Sequence, residues 1–321
     1  MTAVTIEAGS RRHTDGLWAI TSYFNPMGYR RRRDNYRIFR RHLNLPLVTV
    51  EASFGAFELS DDDAEILIRI PARHVLWQKE RLLNEALRAL PKDCRKLAWL
   101  DCDIVFGSTD WPERLCRALD QFMVVQPFGR VHQMPPDSSD AELTADRPEF
   151  SRSSFGAGIA SGILAAEVFE AVNNGTYSRY ASGFAWAACR DVVESRGLYD
   201  ACIMGGGDRA MAAAYHGCFD HVMDRQCMHE PQRQWYLDWA KRSFDRLRGA
   251  TGHVDGDIFH LWHGDILNRR DRIRHKEFSR FAFDPSEDIA IGRHGCWHWN
   301  SNKSEMHEYV RSYFGLRRED G

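Results

Sequence analysis

The sequence has no apolar run long enough to cross a bilayer and no hydrophobic leader over Met1 to Arg12, so the expectation is a soluble, cytoplasmic protein, associated with an inner membrane only peripherally. It has almost no net charge: −2 formally, with a pI near 6.7, leaving no general electrostatic pull toward nucleic acid or an anionic surface. Its eight cysteines include no Cys-x-x-Cys pair and no framework spacing, so they read as buried thiols in a reducing compartment. No His-Glu-x-x-His stretch occurs, which removes the commonest zinc-hydrolase signature. There is no internal repeat and no long low-complexity tract. What remains is 321 residues, enough for one elaborated α/β domain with a sizeable core.

What is present centres on Trp99 to Phe106. Leu97-Ala98-Trp99-Leu100 has the length and residue types of a buried strand, and it ends in Asp101 and Asp103. Residues i and i+2 of an extended chain share a face, so both carboxylates should project from a strand end, where open α/β sheets place their ligand crevice. Two adjacent carboxylates repel unless a cation lies between them, and a hard divalent ion such as Mg²⁺ or Mn²⁺ suits oxygen ligands best. The competing reading is a solvated loop, since Asp-x-Asp is common by chance.

Other segments surround this pair. Leu17 to Phe24 reads as a first strand stopped by Asn25-Pro26-Met27-Gly28, with Tyr23 and Asn25 at its end. Tyr29 to His42 reads as a helix rich in arginine, mostly a solvated face, with one or two side chains able to reach an anion. Leu47 to Glu51 is a second strand whose terminal acid could accept hydrogen bonds from a ribose or base. Asp61-Asp62-Asp63 has no strand before it and reads as solvated surface. Val75 to Leu90 shows helical spacing of apolar residues; Trp77 and Lys79 near its start could meet a ligand, or Trp77 could be core. Residues 132–156, rich in Pro, Ser and acid, read as a mobile loop.

In the second half, Gly183, Phe184 and Trp186 belong to a stretch of small and aromatic residues. Gly205-Gly206-Gly207-Asp208 opens an Ala-rich helix: the glycines free the backbone, and Asp208 is either a helix cap or a general base. Ile258 to Asp265 carries His260 and His263, followed by Arg269. Three residues apart on a straight strand, the two imidazoles would face opposite sides, so one metal ligand is expected. The aromatics of Trp297-His298-Trp299 could stack on a sugar or could be core.

In their order, these segments resemble the glycosyltransferases of the GT-A fold, including bacterial members and, more distantly, the Golgi beta-galactosyltransferases. Trp77 to Asn84 is similar to the Asn-bearing helix of that family, Asp101-Cys102-Asp103 to its metal motif, Gly183-Phe184 and Gly205 to Asp208 to its acceptor motifs, and His263, with His260 second, to its late metal ligand. Arg209 stands where a second acid is common.

The resemblance implies a Rossmann-like, mixed and mostly parallel α/β sheet flanked by helices. A flexible lead-in (1–15) would precede a nucleotide-sugar half (16–131), the loop (132–156), an acceptor half (157–280) and a covering segment (281–321). It implies metal-dependent transfer of a hexose from a nucleotide diphosphate sugar, a UDP-sugar being favoured, to a hydroxyl of a glycan or other acceptor, in polysaccharide or surface glycan assembly. Mn²⁺ or Mg²⁺ would sit on Asp101, Asp103 and a histidine, with Asp208 as base. Tyr23, Asn25, Glu51, Trp77, Lys79, Asn84 and Arg269 would hold the donor; Gly183, Phe184, Trp186, Gly206 and Gly207 would face the acceptor. A sugar nucleotidyltransferase, or a non-catalytic carbohydrate- or nucleotide-binding protein on the same fold, are the alternatives. The first should show a glycine-rich loop with Arg after the first strand, and Phe24 to Gly28 matches that poorly.

Overall fold

Apolar side chains alternate along the first strand because each of its two faces buries a different set of helices. This is a computed structural model that describes residues 14, 16–138, 140, 143–146, 148–173, 177–271 and 273–321; the lead-in expected over 1–15 lies almost wholly outside the described residues. In chain order the elements begin with β1 (Leu17–Phe24), α1 (Arg30–His42), β2 (Leu47–Ser53), β3 (Ile66–Pro71), α2 (Lys79–Ala89), β4 (Lys96–Leu100), β5 (Ile104–Phe106) and α3 (Trp111–Leu119). β6 (Val124–Gln126), β7 (Arg130–Gln133), β8 (Phe150–Ser154), α4 (Phe155–Ala160), α5 (Ala165–Glu170), β9 (Val172–Asn173), β10 (Tyr177–Ser178), β11 (Tyr180–Ala181) and β12 (Ala185–Cys189) follow. The chain continues through α6 (Arg190–Glu194), α7 (Gly207–Tyr215), α8 (Phe219–Arg225), α9 (Glu230–Leu247), β13 (Thr251–His253), β14 (Asp257–His260), α10 (Ile273–Phe278), α11 (Pro285–Asp288), β15 (Ile289–Ile291), β16 (Trp297–Trp299) and α12 (Ser304–Leu316).

The fold is mixed α/β. A seven-stranded sheet runs β13-β6-β12-β4-β1-β2-β3, parallel throughout except for β12, which lies antiparallel between β4 and β6. On one face Leu17, Ala19 and Tyr23 pack with Tyr36 and Phe39 of α1 and Trp111 and Leu115 of α3. On the other, Ile20 and Phe24 pack with Leu82, Leu83 and Ala86 of α2 and with the Ala-rich stretch of α7. Each of the larger aliphatic and phenylalanine side chains among these contributes about 1.5–3 kcal/mol on burial, so covering both faces is what fixes the strand register.

A second, five-stranded sheet runs β11-β8-β7-β14-β5. Three connections leave the large sheet for it, β4 to β5, β6 to β7 and β13 to β14, while β5 to β6, through α3, and β11 to β12 return. Asp101 to Asp103 and Ser182 to Phe184 are two of these crossings, tied together by the Asp101 amide, which donates to the Phe184 carbonyl at 2.7 Å. The β15–β16 hairpin is fastened to α2 by Gln78, whose side chain donates to the Trp297 carbonyl (2.9 Å) and accepts from its amide (3.0 Å).

The expected loop over 132–156 is shorter than its composition suggests. β8 pairs antiparallel with β7 over Phe150 to Ser153, and α4 starts at Phe155, so irregular backbone is confined to residues 134–149, not all of which are described. Phe-Ser-Arg-Ser-Ser has no apolar alternation, and it is pairing with β7 on one side and β11 on the other that makes it a strand. Among the described residues no helix is long and apolar enough to cross a membrane.

Candidate functional site

The seam between the two sheets opens into a cleft of about 950 Å³ lined by Asp101, Asp103, Lys79, Asp208, His260, His263, Arg269 and several further arginines. On its floor Asp103, His260 and His263 offer ligand atoms that lie within 4.8 Å of one another. Backbone pairing brings them together: β5 runs antiparallel to β14 with Ile104 opposite His260, and the Leu261 amide donates to the Asp103 carbonyl at 2.8 Å. Because β14 ends at His260, the chain turns before His263 and swings the second imidazole to the same side. The straight-strand expectation that the two imidazoles face opposite sides therefore fails, and both histidines face Asp103, at 3.6 Å from His260 Nε2 and 3.2 Å from His263 Nε2.

Each imidazole is held from behind. His260 Nδ1 lies 2.6 Å from Gln133 Oε1, an acceptor, and His263 Nδ1 lies 3.5 Å from Glu319 Oε1. Both contacts favour a proton on Nδ1, which turns the two Nε2 lone pairs toward each other at 3.1 Å and toward the Asp103 carboxylate. A divalent cation fits this donor set; the Arg269 guanidinium, 2.9 Å from His263 Nε2, stands at its edge. Burial, helped by Arg269, pushes His263 down to about 3, and burial with His263 nearby lowers His260, so both imidazoles are neutral as ligation requires. Burial and the charge of Asp101 push the Asp103 carboxyl up to about 7.

Asp101 does not join this group. β4 ends at Leu100, and the Asp101 carboxylate that follows is paired with the buried ammonium of Lys79. Lys79 Nζ also lies 2.6 Å from Asp208 Oδ2. One cation thus joins the acidic pair to the head of α7, and it is already neutralised by carboxylates. The preceding glycines have separate reasons. Gly205 and Gly206 adopt left-handed backbone, φ +80° and +92°, with Trp77 packed on Gly205, and a Cβ at Gly207 would collide with the Glu80 carboxyl. Phe184 also sits at φ +79°, a strained conformation for a bulky residue. Its ring lies 4.9 Å from that of His260, forming the wall of the cation site.

Of the other expected donor and acceptor residues, Trp77, Lys79, Arg269, Gly183, Phe184 and Gly206 line the cleft. Tyr23, Asn25, Glu51 and Asn84 do not. Tyr23 and Asn25 bind Glu58, and Asn25 closes the turn by accepting the Tyr29 amide at 2.9 Å. Glu51, 1 % exposed, accepts the Glu58 and Leu59 amides. Asn84 bridges α2 to Leu198 and Asp200. Trp186 is in the centre of the large sheet opposite Trp99, and Gly207 sits beneath the cleft on Glu80. These side chains satisfy buried backbone or fill core, which single-residue reading cannot separate from ligand binding. Sequence reasoning missed Gln133, Glu319 and Arg152, none of which stands beside a motif and which sheet pairing and the C-terminal segment bring in, and it gave no site role to Arg209, which follows Asp208 directly at the start of α7.

No protein-family model and no curated protein matches the sequence. Solved structures similar to this chain include a protein of Desulfovibrio desulfuricans G20 provisionally named a nucleotide-diphospho-sugar transferase (9 % identity, 96 % of this chain and 99 % of that one, TM-score 0.36). Another is S. aureus TarS residues 1–349 (8 %, 94 % and 89 %, TM-score 0.34). A third is a protein of Bacillus anthracis provisionally named a glucose-1-phosphate thymidylyltransferase, in complex with sucrose (8 %, 87 % and 98 %, TM-score 0.33). Likenesses this distant carry no weight for function, which has to be argued from the cleft's own chemistry.

Proposed function

We propose that the protein is a metal-dependent glycosyltransferase of GT-A type, moving a hexose from a nucleotide diphosphate sugar, a UDP-sugar in the first instance, to a hydroxyl acceptor. The observation that carries this is the convergence of Asp103, His260 and His263 in a cleft that also presents a carboxylate, Asp208, and an arginine, Arg269. Two imidazoles and one carboxylate suit Mn²⁺ better than Mg²⁺. Bound there, the ion would supply charge neutralisation for a departing diphosphate.

The remaining chemistry belongs to side chains of this chain. Arg269, at the edge of the cation site, is placed to bind phosphate oxygens. Asp208 accepts the proton of the attacking hydroxyl, and Lys79 positions it; burial first, then Asp101, raise the Asp208 carboxyl, while Lys79 opposes them. With its proton passed to Asp208, the hydroxyl oxygen attacks the anomeric carbon from the side opposite the departing diphosphate, and a single displacement of this kind gives inversion. Trp77 supplies an aromatic wall, packed edge-on by Phe24 and stacked by Phe314.

The test is calorimetric titration of UDP, GDP, CDP and ADP with Mn²⁺, then with EDTA, on the wild type and Asp103→Ala. Metal-dependent binding of one nucleotide that disappears in the variant supports the reading. A folded protein that binds none of the four ends it.

A further inference from the structure

We propose that the arm of the cleft lined by Arg152 and Arg209 seats a phosphoryl group carried by the acceptor, apart from the site at Asp103. The proposal rests on the transferase reading for the word acceptor; the anion seat itself stands on the arginines alone.

Arg152 projects from β8 into the cleft, its guanidinium 5.6 Å from the ring centroid of Phe184 and 5.8 Å from that of Phe150. It makes no ion pair among the described residues, and its Nε is buried without a hydrogen-bond partner. Arg209, the third residue of α7, lies 5.7 Å above Phe169 and 3.2 Å from His221 Nε2, again with no carboxylate within ion-pair distance among the described residues. Aromatic faces stabilise a buried guanidinium less than an anion does.

Neighbouring carboxylates do not supply that anion. Glu170 is bound to His221 Nδ1 at 2.7 Å, and Asp224 to Arg233 at 2.6 Å. Asp271 is shared by Arg225 and Arg274, the latter at 3.1 Å. Arg152, Arg209, Arg225 and Arg274 thus line the cleft with Asp271, which is already claimed twice. Burial first, then repulsion from Arg269 on Arg152 and from Arg225 and Arg152 on Arg209, lower both to about 10, and the opposing charge of Asp271 does not offset this. Buried charge is tolerated when paired, and the missing partner has to come from the ligand.

Arg209 is next in sequence to Asp208, so an anion on Arg209 would place its carrier beside the base. The two guanidiniums enter from different elements, β8 and α7, and His221 lies against Arg209. A tetrahedral phosphoryl group has three terminal oxygens to receive donors from separate directions, where a planar carboxylate has two. Arg269, by contrast, is engaged at His263, on the cation side.

The probe is sn-glycerol 3-phosphate, with glycerol as neutral control, titrated into the full chain saturated with Mn²⁺ and whichever nucleoside diphosphate binds. Wild type, Arg152→Met and Arg209→Met are compared, with Arg→Lys at each position where Met does not fold. Expected is saturable binding of the phosphate monoester, no binding of glycerol, at least tenfold weaker binding in each Met variant, and nucleoside diphosphate affinity within threefold of wild type. Loss of nucleotide affinity in the variants, without separate monoester binding, would assign these arginines to the donor and overturn the proposal. Absence of monoester binding to folded wild type would overturn it as well. If no nucleoside diphosphate binds but the monoester does, the transferase reading falls and the anion seat stands.

Discussion

The Leu261 amide donates to the main-chain carbonyl of Asp103 at 2.8 Å, and this single bond couples the turn after the fourth strand to the histidine segment more than 150 residues later. It extends the β5–β14 ladder by one step past His260. That register sets the Asp103 carboxylate beside His260, the turn after β14 adds His263, and Asp101, two residues before Asp103, is paired with Lys79 instead.

The two acids of the Asp-x-Asp pair should therefore behave differently. Asp103→Ala is expected to weaken Mn²⁺ binding by more than about 100-fold, because a carboxylate ligand is lost. Asp101→Ala should leave Mn²⁺ affinity within about threefold, since its partner is Lys79. Direct titration of the ion into each variant decides; equal loss in both would place Asp101 among the ligands.

Glu319, 1 % exposed, carries Arg32 and Arg317 and faces His263 Nδ1. Outer partners of a ligating histidine typically contribute 10–100-fold in metal affinity. Glu319→Gln should weaken Mn²⁺ binding by about that factor and, by leaving two guanidiniums without their carboxylate, destabilise the fold by about 3 kcal/mol. Mn²⁺ titration and urea unfolding report the two effects separately.

Burial pushes the Glu80 carboxyl up to about 8, against an ordinary value of 4.5, with Lys79 opposing the shift and Asp208 adding to it. The folded state then holds a proton that the unfolded state has released between those two values, so this group's contribution to stability falls as pH rises from about 4.5 to about 8. Glu80→Gln cannot ionise. Its melting temperature relative to wild type should rise from pH 5 to pH 8; a pH-independent difference would show that Glu80 is ionised throughout.

Much of the fold is legible because it depends on local pattern. The largely apolar β1 segment with its Asn25-Pro26 stop, the apolar run before Asp101 and the small-residue helix after Asp208 each announce an element in the right place. The site is legible only in part, because its residues are brought in by pairing between distant strands. His260 and His263 carry a recognisable spacing, yet their common direction depends on where β14 stops. Gln133 and Glu319 have no local signature at all. Tyr23, Glu51 and Asn84 show the converse difficulty: a polar residue at a strand end or on a helix looks alike whether it meets a ligand or a buried amide.

Asn84 makes that distinction measurable. Its Nδ2 donates to the Leu198 carbonyl and to Asp200 Oδ2, both at 2.9 Å, and its Oδ1 accepts the Leu198 amide at 2.7 Å. Gly197, at φ +69°, comes so close that a Cβ there would lie 2.6 Å from Asn84 Oδ1. All of this happens behind α2, away from the cleft. Removing the side chain strands a buried amide and a buried carbonyl, each costing about 1–3 kcal/mol when left unsatisfied. Asn84→Ala should lose about 2–4 kcal/mol in urea unfolding, while the affinity of the folded protein for a nucleoside diphosphate and Mn²⁺ stays within about twofold. Arg269→Ala should do the reverse, weakening the nucleotide by tenfold or more with little loss of stability. If Asn84→Ala instead lowers nucleotide affinity in a protein of unchanged stability, the donor extends behind α2 and the cleft is not its whole site.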